Sequence, residues 1–285
     1  MKRYAENGTY HIKYENIAEF FELTDPNKVP PDMHPSNKDK HQEVVSRSDK
    51  EWRYGDEKNR EEYLHHRFDP HKGRDICKQA ISETFSSKEF KKLMANALSF
   101  KKRIAFDEFG SRIDVPRAIG GEEKYFAIRK NAKRPTVKIA INICGSASVS
   151  KESFIKLAKT AIPTIYALEM AGICTEVYFC GFSKGTYRGD EFNKGDETSV
   201  LIKSAQQRFS WTTFAPVFTL GSYRESMFLS WIYSPNRVDS GLGRPMDDKE
   251  LEKQNNFGYD CVIGFNAPGP IEQTSKIFNK IKPTR

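Results

Sequence analysis

The feature that most constrains the fold is an apolar, β-branched run over residues 136–143. Its apolar character is nearly continuous, with Lys138 and Asn142 as its charged and amide side chains, and such a run is typical of a central strand buried on both faces. A loop of small residues follows it, and then a long apolar segment, 153–170, that predicts a helix with Ser150 as its N-cap. Residues 174–182 predict a second strand. Strand, loop, helix and strand together predict a βαβ crossover in a parallel sheet.

The rest of the C-terminal part continues this alternation. We predict further strands at 198–203 and 261–265, helices at about 212–220 and 271–281, and a strand or helix at 224–233. Alternating strands and helices are typical of a three-layer α/β domain with a mostly parallel sheet. We expect this domain to span residues 104–285.

The N-terminal part predicts mostly helices. Residues 11–23 suit a short helix, and residues 72–102 suit one or two helices with an apolar side. Between them, Pro26, Pro30, Pro31 and Pro35 lie among Asn, Asp and Lys, which is typical of a loop. We therefore expect residues 1–103 to form a largely helical N-terminal extension with a Pro-rich loop. Residues 103–114 alternate with a period near two and predict a strand or hairpin interrupted at Gly110.

Positive charge is concentrated in one region of the chain. The 46 Lys+Arg and 38 Asp+Glu give a formal net charge of +8. Residues 71–134 contain 16 of the basic and 8 of the acidic residues, so the excess of this region equals that of the whole chain. Such asymmetry indicates a local basic surface.

Composition also excludes several classes of protein. No uncharged apolar run approaches the roughly 20 residues of a membrane span, and the polar N-terminus lacks the apolar core of a secretory signal. The five cysteines are widely spaced without a CxxC pair, which suits a reducing compartment and disfavours a Cys-rich zinc site. We expect a cytoplasmic protein that uses no metal and no cofactor.

The histidines argue against common hydrolase chemistry. All six lie in the first quarter of the chain, between His11 and His71. The later part therefore has no histidine for a Ser-His-Asp or Cys-His site unless the N-terminal segment folds over it. No Walker A motif or nucleophile elbow occurs either. We expect a protein that is not an enzyme.

Residues 139–182 resemble the opening of a von Willebrand factor A type domain. In that family the first strand ends in an Asp-x-Ser-x-Ser motif whose oxygens hold a divalent cation. The aligned residues here begin with Asn142 and include Cys144 and Ser146, and only Ser146 matches a ligand position. A neutral amide and a sulfur replace hard oxygen ligands. The resemblance therefore implies a von Willebrand A-like core without the metal.

A closer resemblance is to a family of uncharacterised phage and bacterial proteins with such a core. It is carried by Val115-Pro116-Arg117, Gly121-Glu122, the strand at 139–143, Ser146-Ala147-Ser148 and the helix at 158–172, and an upstream Trp52-Arg53-Tyr54-Gly55 element matches too. The resemblance implies a phage or prophage origin, location in the host cytoplasm, and a role as an accessory factor for phage transcription or replication. A phage RNA polymerase or another replication or transcription protein is then a possible partner.

The basic region makes nucleic-acid binding the first functional hypothesis, with single-stranded DNA as the expected ligand. Such binding needs positive charge along the backbone and aromatic rings on which bases stack. A solvated helical face would show the same lysines, so that alternative stays open. The candidates are Lys91, Lys92, Lys101, Lys102, Arg103, Lys124, Tyr125, Arg129, Lys130, Lys133 and Arg134.

The second hypothesis is a protein-interaction module. Domains of the von Willebrand A class commonly bind partners at the loop edge of the sheet. Free backbone N–H groups at the start of the helix after Ser150 could there donate hydrogen bonds to an anionic side chain without a metal. The candidate loop residues are Asn142, Cys144, Gly145, Ser146 and Ser148. The two hypotheses are compatible.

Overall fold

The computed structural model describes residues 1–25, 61–62, 74–97, 104–107, 112–113, 115–121, 126–129, 135–144, 149–184, 195–219, 221–232 and 244–281. The strands are β1 (Lys2–Glu6), β2 (Thr9–Tyr14), β3 (Ile104–Asp107), β4 (Arg112–Ile113), β5 (Phe126–Arg129), β6 (Thr136–Asn142), β7 (Cys174–Lys184), β8 (Gly195–Lys203), β9 (Arg244–Pro245) and β10 (Cys261–Ile263). The α-helices are α1 (Ile17–Leu23), α2 (Arg74–Ser86), α3 (Lys88–Ala97), α4 (Val115–Ile119), α5 (Lys151–Met170), α6 (Trp211–Phe214), α7 (Phe228–Ile232), α8 (Asp248–Lys253) and α9 (Pro270–Lys280). A π-helix spans Ser222–Met227, and 3₁₀ turns span Ala215–Val217 and Asn255–Gly258.

The main sheet has seven strands, six of them in the order β1-β2-β8-β7-β6-β10. The pairs β1–β2 and β8–β7 are antiparallel, and the pairs β2–β8, β7–β6 and β6–β10 are parallel. The two-residue β9 pairs with the end of β7, beyond the last residue of β6. The sheet is therefore mixed, and it takes strands from both sides of residue 103.

The predicted βαβ unit is confirmed. Strand β6 leads into α5, which returns the chain to β7 in parallel register with β6. Ser150 caps α5 by accepting a hydrogen bond from the Ser153 N–H. Gly172 follows the helix with φ of 86°, the left-handed conformation that glycine adopts most readily.

The predicted fold class is wrong in the N-terminal part and in the strand directions. The chain does not begin with a helical extension, because β1 and β2 form a hairpin that adds to the main sheet. Asn7 and Gly8 form its turn, with φ of 51° and 78°, as a two-residue hairpin loop requires. Residues 11–14, predicted as helix, are strand, and the helix begins only at Ile17. The sheet is also mixed, with β1–β2 and β7–β8 antiparallel, whereas the sequence predicts a mostly parallel one.

Residues 103–114 also differ from a simple hairpin. Strands β3 and β4 do not pair with each other but each pairs antiparallel with β5, in the order β3-β5-β4. The predicted strand character is confirmed, but the partner comes from further along the chain.

The two faces of the main sheet are different. The core face packs under α2, α5 and α9, with Ile12, Ile141 and Phe179 among its fully buried side chains. The opposite surface, which we call the polar face, carries Cys180 and Phe182 in a smaller cluster with Met246, Leu251 and Tyr259. Residues around β9 and α8 therefore cover the part of the polar face formed by β6 and β7.

A buried ion pair fixes the end of β8 to the helix layer. Lys203 is 1% exposed, and its Nζ donates to Glu169 Oε1 at 2.7 Å and to the carbonyl oxygen of Thr175 at 2.8 Å. Glu169 Oε1 also accepts from the backbone N–H and the hydroxyl of Thr175. The Lys203 Nζ also donates to the carbonyl oxygen of Ser204 at 3.2 Å, so all three of its donors are bonded, while the Glu169 side chain is 20% exposed. Hydrogen bonding of the charge is the condition under which a buried ionised group is tolerated.

Candidate functional site

The polar face near the N-terminal hairpin holds a group of charged and polar side chains on neighbouring strands. In β2 the apolar Tyr10, Ile12 and Tyr14 alternate with His11 and Lys13, and the former three are buried in the core. Because successive side chains of a strand point to opposite faces, His11 and Lys13 lie on the polar face. The parallel register places His11 opposite Glu197 and Lys13 opposite Ser199 of β8.

The edge strand β1 completes a compact group. Its Tyr4 lies opposite His11, and its Lys2 lies opposite Lys13. The Tyr4 and His11 rings are stacked, with centroids 4.8 Å apart and planes 18° apart. The Lys13 Nζ lies 5.4 Å from the Tyr4 ring centroid, within range of a cation–π interaction. We call Lys2, Tyr4, His11 and Lys13 the edge cluster.

A buried hydrogen-bond network lies beside the edge cluster. Glu197 is 1% exposed; its Oε2 lies 2.5 Å from His11 Nδ1, and its Oε1 accepts from the Tyr259 hydroxyl at 2.6 Å. The Cys180 thiol donates to the Tyr259 oxygen at 3.6 Å. We call Cys180, Tyr259, Glu197 and His11 the Glu197 network. It joins β7, the segment before β10, β8 and β2.

The Glu197 network fixes the orientation of the His11 ring. A carboxylate that accepts from Nδ1 fixes the orientation of the imidazole and leaves Nε2 as its other polar atom. His11 is 8% exposed, and Nε2 makes no hydrogen bond to another described residue. His11 therefore presents one polar atom for a ligand.

Burial and the Glu197 carboxylate perturb the neighbouring ionisable groups. Desolvation raises the pKa of the Cys180 thiol well above its usual value, and the nearby carboxylate adds to this. The pKa of the Tyr259 phenol is raised as well, by burial first and then by Coulomb repulsion from the Glu197 carboxylate and from Cys180 once that thiol ionises. For Lys13, burial acts against the charged form, but Glu197 and the Tyr4 hydroxyl outweigh it, so its pKa is raised. Cys180 and Tyr259 thus stay protonated and Lys13 stays cationic at neutral pH.

Ser199 adds a further polar atom. It lies between Lys13 on β2 and Cys180 on β7, opposite both in the strand registers. It is 1% exposed, and its hydroxyl has no hydrogen-bond partner among the residues that the structure describes. A buried hydroxyl without a partner costs about 1 to 3 kcal/mol.

The structure describes only part of the predicted nucleic-acid site. Lys91 and Lys92 are exposed on α3, which packs with α2 and α9 in the helix layer and thus on the other side of the sheet from the edge cluster. Arg129 is the last residue of β5, and its side chain lies outside the described residues. Also outside them lie Lys101, Lys102, Arg103, Lys124, Tyr125, Lys130, Lys133 and Arg134.

The predicted partner loop is described at its start. Asn142 ends β6 on the polar face, opposite Cys180, and its Oδ1 accepts from the Cys144 backbone N–H at 3.0 Å. Both residues are buried. Gly145, Ser146 and Ser148 lie outside the described residues. In the part of the chain that is described, no three His, Cys, Asp or Glu side chains are grouped as metal ligands would be.

Sequence reasoning missed the edge cluster and Glu197, although two signals were present. The Asn7-Gly8 pair is a strong hairpin signal, and residues 9–14 alternate with a period of two. Nothing in the sequence pairs β2 with β8, because that contact joins residues more than 180 positions apart. The N-terminal segment does fold over the later part of the chain, and His11 thereby reaches Glu197.

Comparison with known proteins gives a family and no activity. The family model described as Domain of unknown function (DUF7192) matches residues 2–263. The chain belongs to this family. No curated protein and no solved structure matches it. The match covers both the N-terminal hairpin and β10, and so includes every residue of the edge cluster and of the Glu197 network.

The helices also bear on membrane association. Of those described, none combines the length and the apolar character that crossing a bilayer would need.

Proposed function

We propose that this protein is a non-catalytic accessory factor that binds single-stranded nucleic acid, with DNA the expected form, and that the edge cluster contacts the strand. The observation that carries the proposal is the combination of two lysines with a stacked Tyr–His pair at the edge of the sheet. Lys2 is exposed, and Tyr4 and Lys13 are half-buried, so all three can be reached from solvent.

The chemistry of the edge cluster suits an unpaired strand. Lysines neutralise backbone phosphates without regard to sequence, and an aromatic ring offers a stacking surface for any base. A base inside a duplex already stacks on its neighbours, so only an unpaired base can use the Tyr4 ring. This favours single-stranded over duplex ligands.

The charge of the whole chain supports the same proposal. The net charge of +8 attracts polyanions, and the basic region 71–134 supplies that excess. Lys91 and Lys92 are exposed there. A nucleic-acid strand that contacts both the edge cluster and these two lysines would have to pass around the β-sheet. The proposal includes a role in phage transcription or replication with a polymerase as partner. Only the sequence resemblance supports that role.

The described part of the partner loop favours this function over a protein-interaction module. The N–H groups of Cys144 and Ser153 are already bonded to Asn142 and Ser150. They are therefore not free to donate to an acidic side chain of a partner.

Fluorescence anisotropy tests the proposal with a labelled oligothymidylate that lacks terminal phosphates, and with the corresponding duplex, across a range of salt concentrations. Each phosphate contact contributes about 0.7 to the slope of log K against log salt for single strands. The double variant Lys2→Gln, Lys13→Gln should therefore lower the magnitude of that slope by about 1.4.

The matched control is Lys276→Gln. Lys276 is an exposed lysine of α9, in the helix layer, and pairs with Glu272 at 3.0 Å. It should leave the slope unchanged. No binding of the single strand at low salt, or equal slopes for both variants and the unmodified protein, would overturn the proposal.

A further inference from the structure

Strand β1 forms one edge of the main sheet. Among the strands that the structure describes, it pairs with β2 alone. An edge strand presents backbone N–H and C=O groups with which a strand of another chain can pair, and its charged side chains decide whether that happens. Lys2, Ala5 and Glu6 of β1 are exposed, and Tyr4 is half-buried. A second protein can therefore reach this edge from solvent.

The hairpin turn fixes which backbone groups of β1 face outward. The two-residue loop at 7–8 has positive φ at both positions, so Glu6 and Thr9, which close it, exchange their backbone hydrogen bonds. Hydrogen-bonded and non-hydrogen-bonded pairs alternate along an antiparallel ladder. The backbone N–H and C=O of Ala5 therefore point away from β2, as do those of Arg3.

The charges of β1 are self-complementary in one antiparallel register. Lys2, Tyr4 and Glu6 share the polar face, because successive side chains of a strand point to opposite faces. With Tyr4 opposite the partner's Tyr4, Lys2 would lie opposite the partner's Glu6. In the same register Ala5 would exchange backbone hydrogen bonds with the partner's Arg3. Opposite charges and aromatic rings at directly opposed positions stabilise a sheet.

The neighbouring registers are less favourable. Outward-facing residues must pair with outward-facing residues, so these registers are centred on Arg3 or on Ala5. The first would place Arg3 opposite the partner's Arg3, and like charges at such a position destabilise a sheet. The second would place Lys2 opposite the partner's Gly8 in the turn, beyond the end of the strand.

The partner's Glu6 would also offset a repulsion within the chain. Lys2 and Lys13 are directly opposite each other in the β1–β2 pair, on the same face. Glu15 lies 4.0 Å from the Lys2 Nζ, but both side chains are largely exposed, and such pairs contribute little. A carboxylate on the other side of Lys2 would therefore favour the charged state of this edge.

We infer that two copies of this protein associate through antiparallel pairing of their β1 strands, centred on Tyr4. The pairing has twofold symmetry, because each chain contributes the same strand. It joins the two main sheets into one and places the two edge clusters side by side on a continuous polar face. This association does not depend on nucleic acid, and it would give a bound strand two edge clusters to contact.

Analytical ultracentrifugation of the full chain without nucleic acid tests the inference. Each copy contributes one short strand, so we expect a weak dimer that forms at micromolar to millimolar protein concentrations. Glu6→Lys would put a lysine opposite the partner's Lys2 at both ends of the pairing, and it should raise the dissociation constant about thirtyfold. The matched control is Glu272→Lys, which makes the same change of charge on α9, where Glu272 pairs with Lys276. It should leave the dissociation constant nearly unchanged.

Charge reversal gives a result that a loss of folding would not produce. Lys2→Glu alone should also weaken the dimer about thirtyfold, although within its own chain the new carboxylate lies opposite Lys13 and favours the hairpin. A mixture of the Lys2→Glu and Glu6→Lys chains has opposite charges at both ends of the pairing, so it should form the dimer again. Ala5→Pro removes an outward N–H and keeps the bonds to β2, so it should abolish the dimer.

Three results would overturn the inference. The first is a monomer at every protein concentration up to about 1 mM. The second is a dimer that Glu6→Lys and Glu272→Lys weaken equally. The third is a mixture of the two charge variants that stays as monomeric as each variant alone. Because no nucleic acid is present, none of these results bears on the proposed function, which the anisotropy experiment tests separately.

Discussion

Replacing Glu197 by glutamine should destabilise the fold by about 2 to 4 kcal/mol. The substitution keeps the shape of the side chain and removes its charge. Glu197 accepts two hydrogen bonds, from His11 at 2.5 Å and from Tyr259 at 2.6 Å, and both change from charge-assisted to neutral. A bond to a charged group contributes about 1.5 to 3 kcal/mol and a neutral one about 1 kcal/mol. The amide NH2 also places a donor where one of the two partners needs an acceptor.

Urea unfolding followed by circular dichroism measures this effect. With an m-value of roughly 3 kcal/mol/M, the expected loss shifts the midpoint by about 1 M. The control is Glu176→Gln, because Glu176 accepts from the Tyr178 hydroxyl at 2.9 Å and lies 3.8 Å from Lys138 but is partly exposed. It should cost less than about 1 kcal/mol. If Glu197→Gln shifts the midpoint no further than Glu176→Gln, the Glu197 network does not hold the four segments together.

Three further predictions concern other parts of the molecule. Lys203→Met should cost about 3 to 5 kcal/mol in urea unfolding, since it leaves a largely buried carboxylate without its partner, whereas Lys159→Met at a partly exposed pair should cost under about 1 kcal/mol. The free energy of unfolding should fall as pH rises above about 9 to 10, because the raised pKa of Tyr259 keeps its proton in the folded state while the unfolded chain releases it. Tyr259→Phe should make this fall shallower. An unchanged urea midpoint up to about pH 11 would contradict the prediction. In native protein at about pH 8.5, iodoacetamide should label the half-buried Cys174 before Cys180, whose raised pKa and complete burial suppress the reactive thiolate, and mass spectrometry showing the reverse order would refute it.

Local patterns in the sequence predict the central unit of the fold well. Residues 136–142 form a buried strand, Ser150 caps α5, and residues 174–182 return as a parallel strand. Each of these depends on hydrophobic periodicity and capping within about 50 residues. Local information therefore suffices for this unit.

The sequence fails where long-range pairing decides the structure. The sequence predicts a helix over residues 11–23 because Ile17, Phe20 and Phe21 of α1 form one amphipathic pattern with the strand residues before them. The position of β2 beside β8 brings His11 to Glu197, and no local pattern encodes that contact. The sequence therefore predicted a basic nucleic-acid surface in residues 71–134 but not the edge cluster on β1 and β2.

Photo-crosslinking reports directly whether the edge cluster contacts a single strand. A single-stranded oligonucleotide that carries 5-iodouracil is bound, irradiated and digested, and mass spectrometry identifies the modified residue. We expect a cross-link to Tyr4 that Tyr4→Leu abolishes while Lys276→Gln does not. Cross-links found only in α9, or the absence of any cross-link in β1 or β2, would contradict this expectation.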